Sequence, residues 1–290
     1  MGEGTVNRYQ KAQKVATYGV LGNLFLLIIK LWAGLAFHSQ AMLADGINSL
    51  GDVFASSMTF LGNKVASRPQ DEDHPFGHGK AEYIFSFLIA IAMLAVAART
   101  LYSSFMSIIE GNTIVFSPFL VVVCAATILV KSCLYVYAKR AASQENNLLI
   151  LANAQDHRND VFVTLGTLLG IAGSSLGWNF LDGAVGIAIS LWIAYTGVVI
   201  FIKAYRVLMD TGLGETTYRR IADIVSAVDG VDHIDSIEAK PVGFQYILFV
   251  KVSVDGEMSV NQSHAIAATI RYSLKELGDV SDVMVHINPC

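Results

Sequence analysis

Apolar residues dominate the first two thirds of the chain in long runs that short polar stretches interrupt. A helix needs about 20 apolar residues to cross a bilayer. Six stretches reach that length: Val15 to Phe37, Gln40 to Val65, Tyr83 to Ile109, Phe116 to Tyr137, Leu148 to Leu176 and Phe180 to Leu208. Beyond Asp210 the pattern shortens. Glu215 to Val228 repeats as an amphipathic helix. Asp232 to Lys240 and Phe244 to Val254 alternate as strands, joined by a turn at Pro241 to Gly243. Val260 to Leu277 reads as a second helix, and Val280 to Ile287 as a third strand. The pattern predicts a polytopic α-helical membrane protein with six transmembrane helices over residues 1–209. A cytoplasmic α+β domain of αββαβ order, ferredoxin- or metallochaperone-like, follows at 210–290, with both helices on one face of its sheet. A domain of about 80 residues is marginal alone, so dimerisation would add to its stability.

Two of the apolar runs carry acids. NSLGD, Asn48 to Asp52, lies in the second, and DHRND, Asp156 to Asp160, in the fifth. Positions i and i+4 share one helix face, so Asn48 pairs with Asp52, and Asp156 with Asp160. A carboxylate in hydrocarbon costs roughly 3 kcal/mol or more and usually marks an ion path. Packing or capping would account for one such residue, but two spaced pairs in separate spans point to a shared cation site. Asp45 lies three residues before Asn48 on the same face. It reads as an outer-mouth residue or an accessory ligand. His157 falls about 100° round the helix from Asp156 and is not expected to ligate.

Composition agrees. Of 290 residues, 53% are hydrophobic and 15% charged, against about 25% charged in soluble domains; mean hydropathy is +0.50. A net charge of -4 gives no bulk attraction to nucleic acid. Lys and Arg cluster before the first span, between the second and third, between the fourth and fifth, and after the sixth. The loops around His38, Gly111 and Gly177 carry none, which places both termini in the cytoplasm of a multi-pass cell-membrane protein. Within the spans, Lys30 and Lys131 would snorkel or pair with acids. Arg99 needs a partner or water, and Arg158 should point away from the acids into an ion pair or lipid headgroups. Gly166, Gly170, Gly173, Gly183 and Gly186 allow close helix approach. Cys124 and Cys133 read as small core residues, with no disulfide.

The donor set is one amide and three carboxylates. Hard oxygen donors suit Mg, Ca and Mn, whereas Zn sites usually include His or Cys, so Mn²⁺ is favoured over Zn²⁺. Crowded carboxylates repel one another and hold protons that an arriving metal would release, the basis of a metal/proton antiporter. The transported ion is then the protein's metal, with no prosthetic group. Asp71, Asp73, His74 and His78 crowd the loop after the second span and read as a solvated loop, a peripheral metal site or a funnel. Lys80 reads as an ion-pair former. In the tail, His233, Asp235, His264 and His286 offer ligands whose convergence the spacing leaves open.

With these residues in hand, the chain resembles the cation diffusion facilitator family over nearly its whole length. The signatures are MLADGINSLGDVFAS, RPQDEDHPFGHGKAE and ANAQDHRNDVF. The resemblance implies a homodimer exporting divalent metal in exchange for protons from a site at Asn48, Asp52, Asp156 and Asp160. Zinc members carry His or Asp at the position of Asn48 and His at that of Asp156. The set here is similar to that of manganese-exporting members. The resemblance further implies a loop site at Asp71, His74 and His78, and a dimer-interface site at Asp235, His264, His286 and Asn288. Asp235 and Asn288 depart there from the His and Asp of zinc members. It also implies an ion pair of Lys80 with Asp210 that ties the membrane half to the tail across the dimer. Magnetosome-membrane members share parts of the pattern, which keeps iron open beside zinc.

Two other classes compete. An intramembrane aspartyl protease also needs two membrane carboxylates, but its GxGD motif is broken here, since Ser49 stands two before Gly51. A membrane metal sensor would need a signalling module, and none is legible after the tail.

Overall fold

A computed structural model describes residues 3–36, 40–110, 118–175, 178 and 180–290. Six long helices come first: α1 (Glu3–Ala36), α2 (Gln40–Ala66), α3 (Ala81–Glu110), α4 (Pro118–Glu145), α5 (Leu148–Ser175) and α6 (Phe180–Leu208). Then come α7 (Glu215–Ser226), β1 (His233–Val242), β2 (Gln245–Val254), α8 (Val260–Lys275) and β3 (Val280–Pro289). Among the described residues, α1, α3, α4 and α6 are long and apolar enough to cross a membrane. In each, only 28–39% of the apolar window is buried inside the chain. The remainder, including Trp32, Tyr102, Leu129 and Tyr195, faces outward as a lipid-contacting surface requires. The other two long helices, α2 and α5, hold the acids.

The chain divides into two units. The first is Met1–Pro69 with Ala81–Tyr205, and the second is Gln70–Lys80 with Arg206–Cys290. In the first, α1 packs mainly on α2 and α4 mainly on α5, while α5 also touches α2 and α3. Helix α1 starts at Glu3, well before the expected Val15. The polar N-terminus hides an apolar face at helical spacing: Tyr9, Ala12 and Ala16 are buried. Ala12 and Val15 pack against Ala138 and Ala142, which likewise carry α4 past its expected end at Tyr137. Gly183 lets α6 approach α3, since a Cβ there would lie 2.7 Å from the Ser104 carbonyl oxygen. Cys124 is buried as expected, but Cys133 is exposed on the outward face of α4, and neither is joined in a disulfide.

The second unit has the αββαβ order that the alternation predicts. The sheet order is β1-β2-β3, with β1 antiparallel and β3 parallel to β2. Ile221 and Val225 of α7, and Ile270 and Leu274 of α8, close over Leu248, Val250 and Val252 of β2. Each such burial contributes roughly 1.5–3 kcal/mol. Pro241, expected in the turn, pairs with Tyr246 inside β1. An edge strand tolerates a residue without an N–H. The turn is left to Gly243, whose φ of +81° favours glycine.

The loop Gln70–Lys80 belongs to this second unit. A Cβ on Gly243 would lie 2.9 Å from the Gly79 Cα, so loop and hairpin touch backbone to backbone. Lys240 Nζ stands 5.5 Å from the Phe76 ring centroid. Lys80 Nζ donates to Asp210 Oδ1 at 2.6 Å. The expected Lys80–Asp210 pair is thus present within the chain.

Candidate metal centre

Asp52 reaches the centre of the first unit from α2, and Asp156 and Asp160 reach it from α5. All three line one cavity of about 380 Å³, with Lys30, Arg99, Thr127 and Lys131. Lys131 of α4 has a side chain only 1% exposed, and its Nζ donates to Asp52 Oδ2 at 2.8 Å. The same nitrogen donates to Asp160 Oδ2. One cation position is therefore gripped from two helices. Of the two roles expected for Lys131, pairing with acids holds and snorkelling does not. Lys30 of α1, which also lines the cavity, donates to Ser49 Oγ at 3.1 Å. Asn48 and Asp45 lie on α2 at helical spacing from Asp52, and their side chains fall outside the described residues.

Asp156 completes the acidic cluster. Its Oδ2 is buried and has no hydrogen-bond partner. An unpaired carboxylate oxygen in such a place is expensive, and it is a donor that could hold a cation. Ligand atoms of Asp156, His157 and Asp160 lie within 4.8 Å of one another. The 100° offset of His157 therefore does not keep its imidazole away, because the ring spans the arc that the backbone opens. The ring is buried, its Nδ1 has no partner, and it packs near Gly19 of α1. Arg158 points away from the cavity, as expected. Among the described residues it makes no ion pair. Its Nη2 donates to Thr196 Oγ1 at 3.0 Å, and its guanidinium stacks 5.1 Å from the Trp192 centroid.

A second network sits at the end of the bundle where α4 turns into α5. Arg8 Nη2 donates to Glu82 Oε2 at 2.8 Å, with both side chains buried. Arg8 Nε also donates to the Glu145 carbonyl, and Glu82 Oε1 accepts the Leu148 N–H at the start of α5. Arg8 counted in the sequence only as a charge flanking a span. Its i,i+4 register with the buried Ala12 is the signal that it faces inward.

Two ligand-rich clusters lie in the second unit. In the loop, Asp71 Oδ1 accepts the His74 N–H at 2.7 Å and meets His74 Nδ1 at 2.9 Å. His78 Nε2 stands 3.3 Å from Asp71 Oδ2. These bonds, that to the His74 ring first, hold the Asp71 carboxyl below the ordinary carboxylate range. The three residues present ligand atoms within 4.8 Å of one another, while Asp73 stands outside the group. In the tail, the β1–β2 register slips between Ile234 and Ser236. The bulge aims Asp235 at Asn288 Nδ2 (2.9 Å), Ser253 Oγ (3.1 Å) and His233 Nε2 (3.1 Å). The Asn288 bond is the main reason the Asp235 carboxyl is depressed. Among the described residues, His264 on α8 and His286 on β3 join no group of three ligating side chains.

Comparison with known proteins adds the family. Residues 16–209 match the cation efflux transmembrane domain, and residues 213–290 match the cytoplasmic domain of cation efflux proteins, a dimerisation domain. The chain is 34% identical to the manganese efflux system protein MneP of Bacillus subtilis (strain 168), with 97% of each chain covered. It is 30% identical to MneS of the same organism, over 97% of this chain and 96% of that one. It is 31% identical to the magnetosome protein MamM of Paramagnetospirillum magneticum, over 90% of this chain and 82% of that one. The chain belongs to the cation efflux family and is a multi-pass membrane transporter of divalent metal cations, not an enzyme.

Proposed function

We propose that the protein exports Mn²⁺ from the cytoplasm in exchange for protons, by alternating exposure of a site made of Asn48, Asp52, Asp156 and Asp160. The observation that carries this is the single cation position held by Asp52 of α2 and Asp160 of α5, with a bare Asp156 oxygen beside it. Three carboxylates form a hard donor set that suits Mn²⁺. The names of MneP and MneS point the same way. Both termini lie in the cytoplasm, two copies form the working unit, and lipid covers the outward faces of the helices. The loop trio Asp71, His74 and His78 is a peripheral metal site, and Asp235 with His264 and His286 contributes metal positions where two tails meet.

The test is ⁵⁴Mn²⁺ uptake by everted vesicles, with Zn²⁺, Fe²⁺ and Cd²⁺ as competitors and internal pH as a second readout. Mn²⁺ uptake that resists equimolar Zn²⁺, alkalises the vesicle interior as it proceeds and vanishes in Asp160→Ala is the expected result. Mn²⁺ uptake with no linked proton movement would overturn the antiport. One observation favours a second metal: the imidazole of His157, close to Asp156 and Asp160, is a donor that suits Zn²⁺. If Zn²⁺ is the cargo, it outcompetes Mn²⁺ in the same vesicles and His157→Ala weakens that preference.

A further inference from the structure

The transport site proposed above holds a cation of its own. Among the described residues, the charged groups lining the cavity are Asp52, Asp156 and Asp160 against Lys30, Arg99 and Lys131, three of each sign. A cavity so balanced offers a divalent ion no surplus negative charge. Its two best-placed oxygens, Asp52 Oδ2 and Asp160 Oδ2, are already spent on one ammonium. A metal ion and an ammonium cannot share those two oxygens, so one must leave for the other to bind.

Two buried groups without partners show where each would go. Asp156 Oδ2 is free to take the metal first. Thr127 Oγ1 is buried, lacks a hydrogen-bond partner and lines the same cavity, one helical turn before Lys131 on α4. It offers the ammonium a second acceptor within reach of a four-carbon stem. We infer that Lys131 is the resident cation of the transport site, seated on Asp52 and Asp160 until a divalent metal that lands on Asp156 displaces it toward Thr127. The ammonium keeps its charge throughout and changes only its seat. It weakens metal binding by competing for the ligands and then repelling the ion. It speeds release, because its return to the two carboxylates expels the metal. Lys131 is thus a positioning residue for export, and Thr127 acts through it.

This rests on the transport-site reading, and the experiment separates the two. The full-length protein in detergent is titrated with Mn²⁺, and bound metal is read from the loss of the free-ion EPR signal. The component that Asp160→Ala abolishes is the transport site; if no component is lost, that reading fails first. Within that component, Lys131→Met should bind Mn²⁺ at least tenfold more tightly while everted vesicles carrying it turn over more slowly. Lys131→Arg should stay near the original affinity. Thr127→Val should weaken binding several-fold with Lys131 present and leave it unchanged in the Lys131→Met background. If Lys131→Met does not elute as folded protein, Lys131→Gln is read by the same criteria. Unchanged or weaker binding on removal of the ammonium would overturn the proposal. So would an equal loss from Thr127→Val in both backgrounds, which would mark a purely structural hydroxyl.

Discussion

Asp52 and Asp160 show how little a side chain's own helix says about its role. Each is an acid in an apolar run, and the cation between them arrives from a third helix as Lys131. A ligand bond to a charged group is worth about 1.5–3 kcal/mol. Asp52→Asn should therefore raise the Mn²⁺ concentration for half-maximal vesicle uptake by roughly tenfold to a hundredfold; an unchanged value would remove Asp52 from the site. In the tail, the Asp232 hydrogen bond is the first cause of a raised His233 pKa, and Asp235 is depressed. The raised imidazole contributes fully below its ordinary value of about 6.5 and is lost as pH rises through its folded value. The depressed carboxyl contributes above about 3.9 and is lost as pH falls through its folded value. NMR titration of the His233 ring should give a midpoint above the ordinary imidazole value of about 6.5, and Asp232→Asn should bring it down.

At the scale of elements, the start of α5 depends on a buried ion pair. Glu82 accepts from Arg8 of α1 and from the Leu148 N–H. Removing one partner of a buried pair leaves the other uncompensated, at a cost of about 3–5 kcal/mol. Glu82→Ala should lower the thermal midpoint of the purified protein sharply, whereas Lys11→Ala, at the exposed end of the Lys11–Glu145 pair, should barely move it. Most elements were legible in the sequence because bilayer length and strand alternation are coarse signals. The extended ends of α1 and α4 were not, because alanines at helical spacing among charges look polar on average. The i,i+4 pairs gave the acids their face. The ammonium between them needed the packing of α4, which no spacing within one helix reports.

For the whole molecule, a transporter must hold polar groups together inside lipid and let them part. The first unit buries Asn23, Ser56, Thr59, Asn63, Asn153 and His157 around its centre and turns large apolar side chains outward. The second unit has an ordinary apolar core, and it carries the loop with Asp71, His74 and His78. Gly243→Val should disturb that loop, since the left-handed backbone and the Gly79 contact both exclude a branched side chain. The readout is metal binding by the loop trio, which should fall while Asp160-dependent binding persists. The central claim is that α2 and α5 jointly hold one divalent ion. Anomalous diffraction from the protein crystallised with Mn²⁺ measures that most directly. A manganese peak within bonding distance of Asp52, Asp156 and Asp160 at once is the result expected. Manganese found only at the loop or the tail, with Lys131 still seated on both carboxylates at saturating metal, would contradict it.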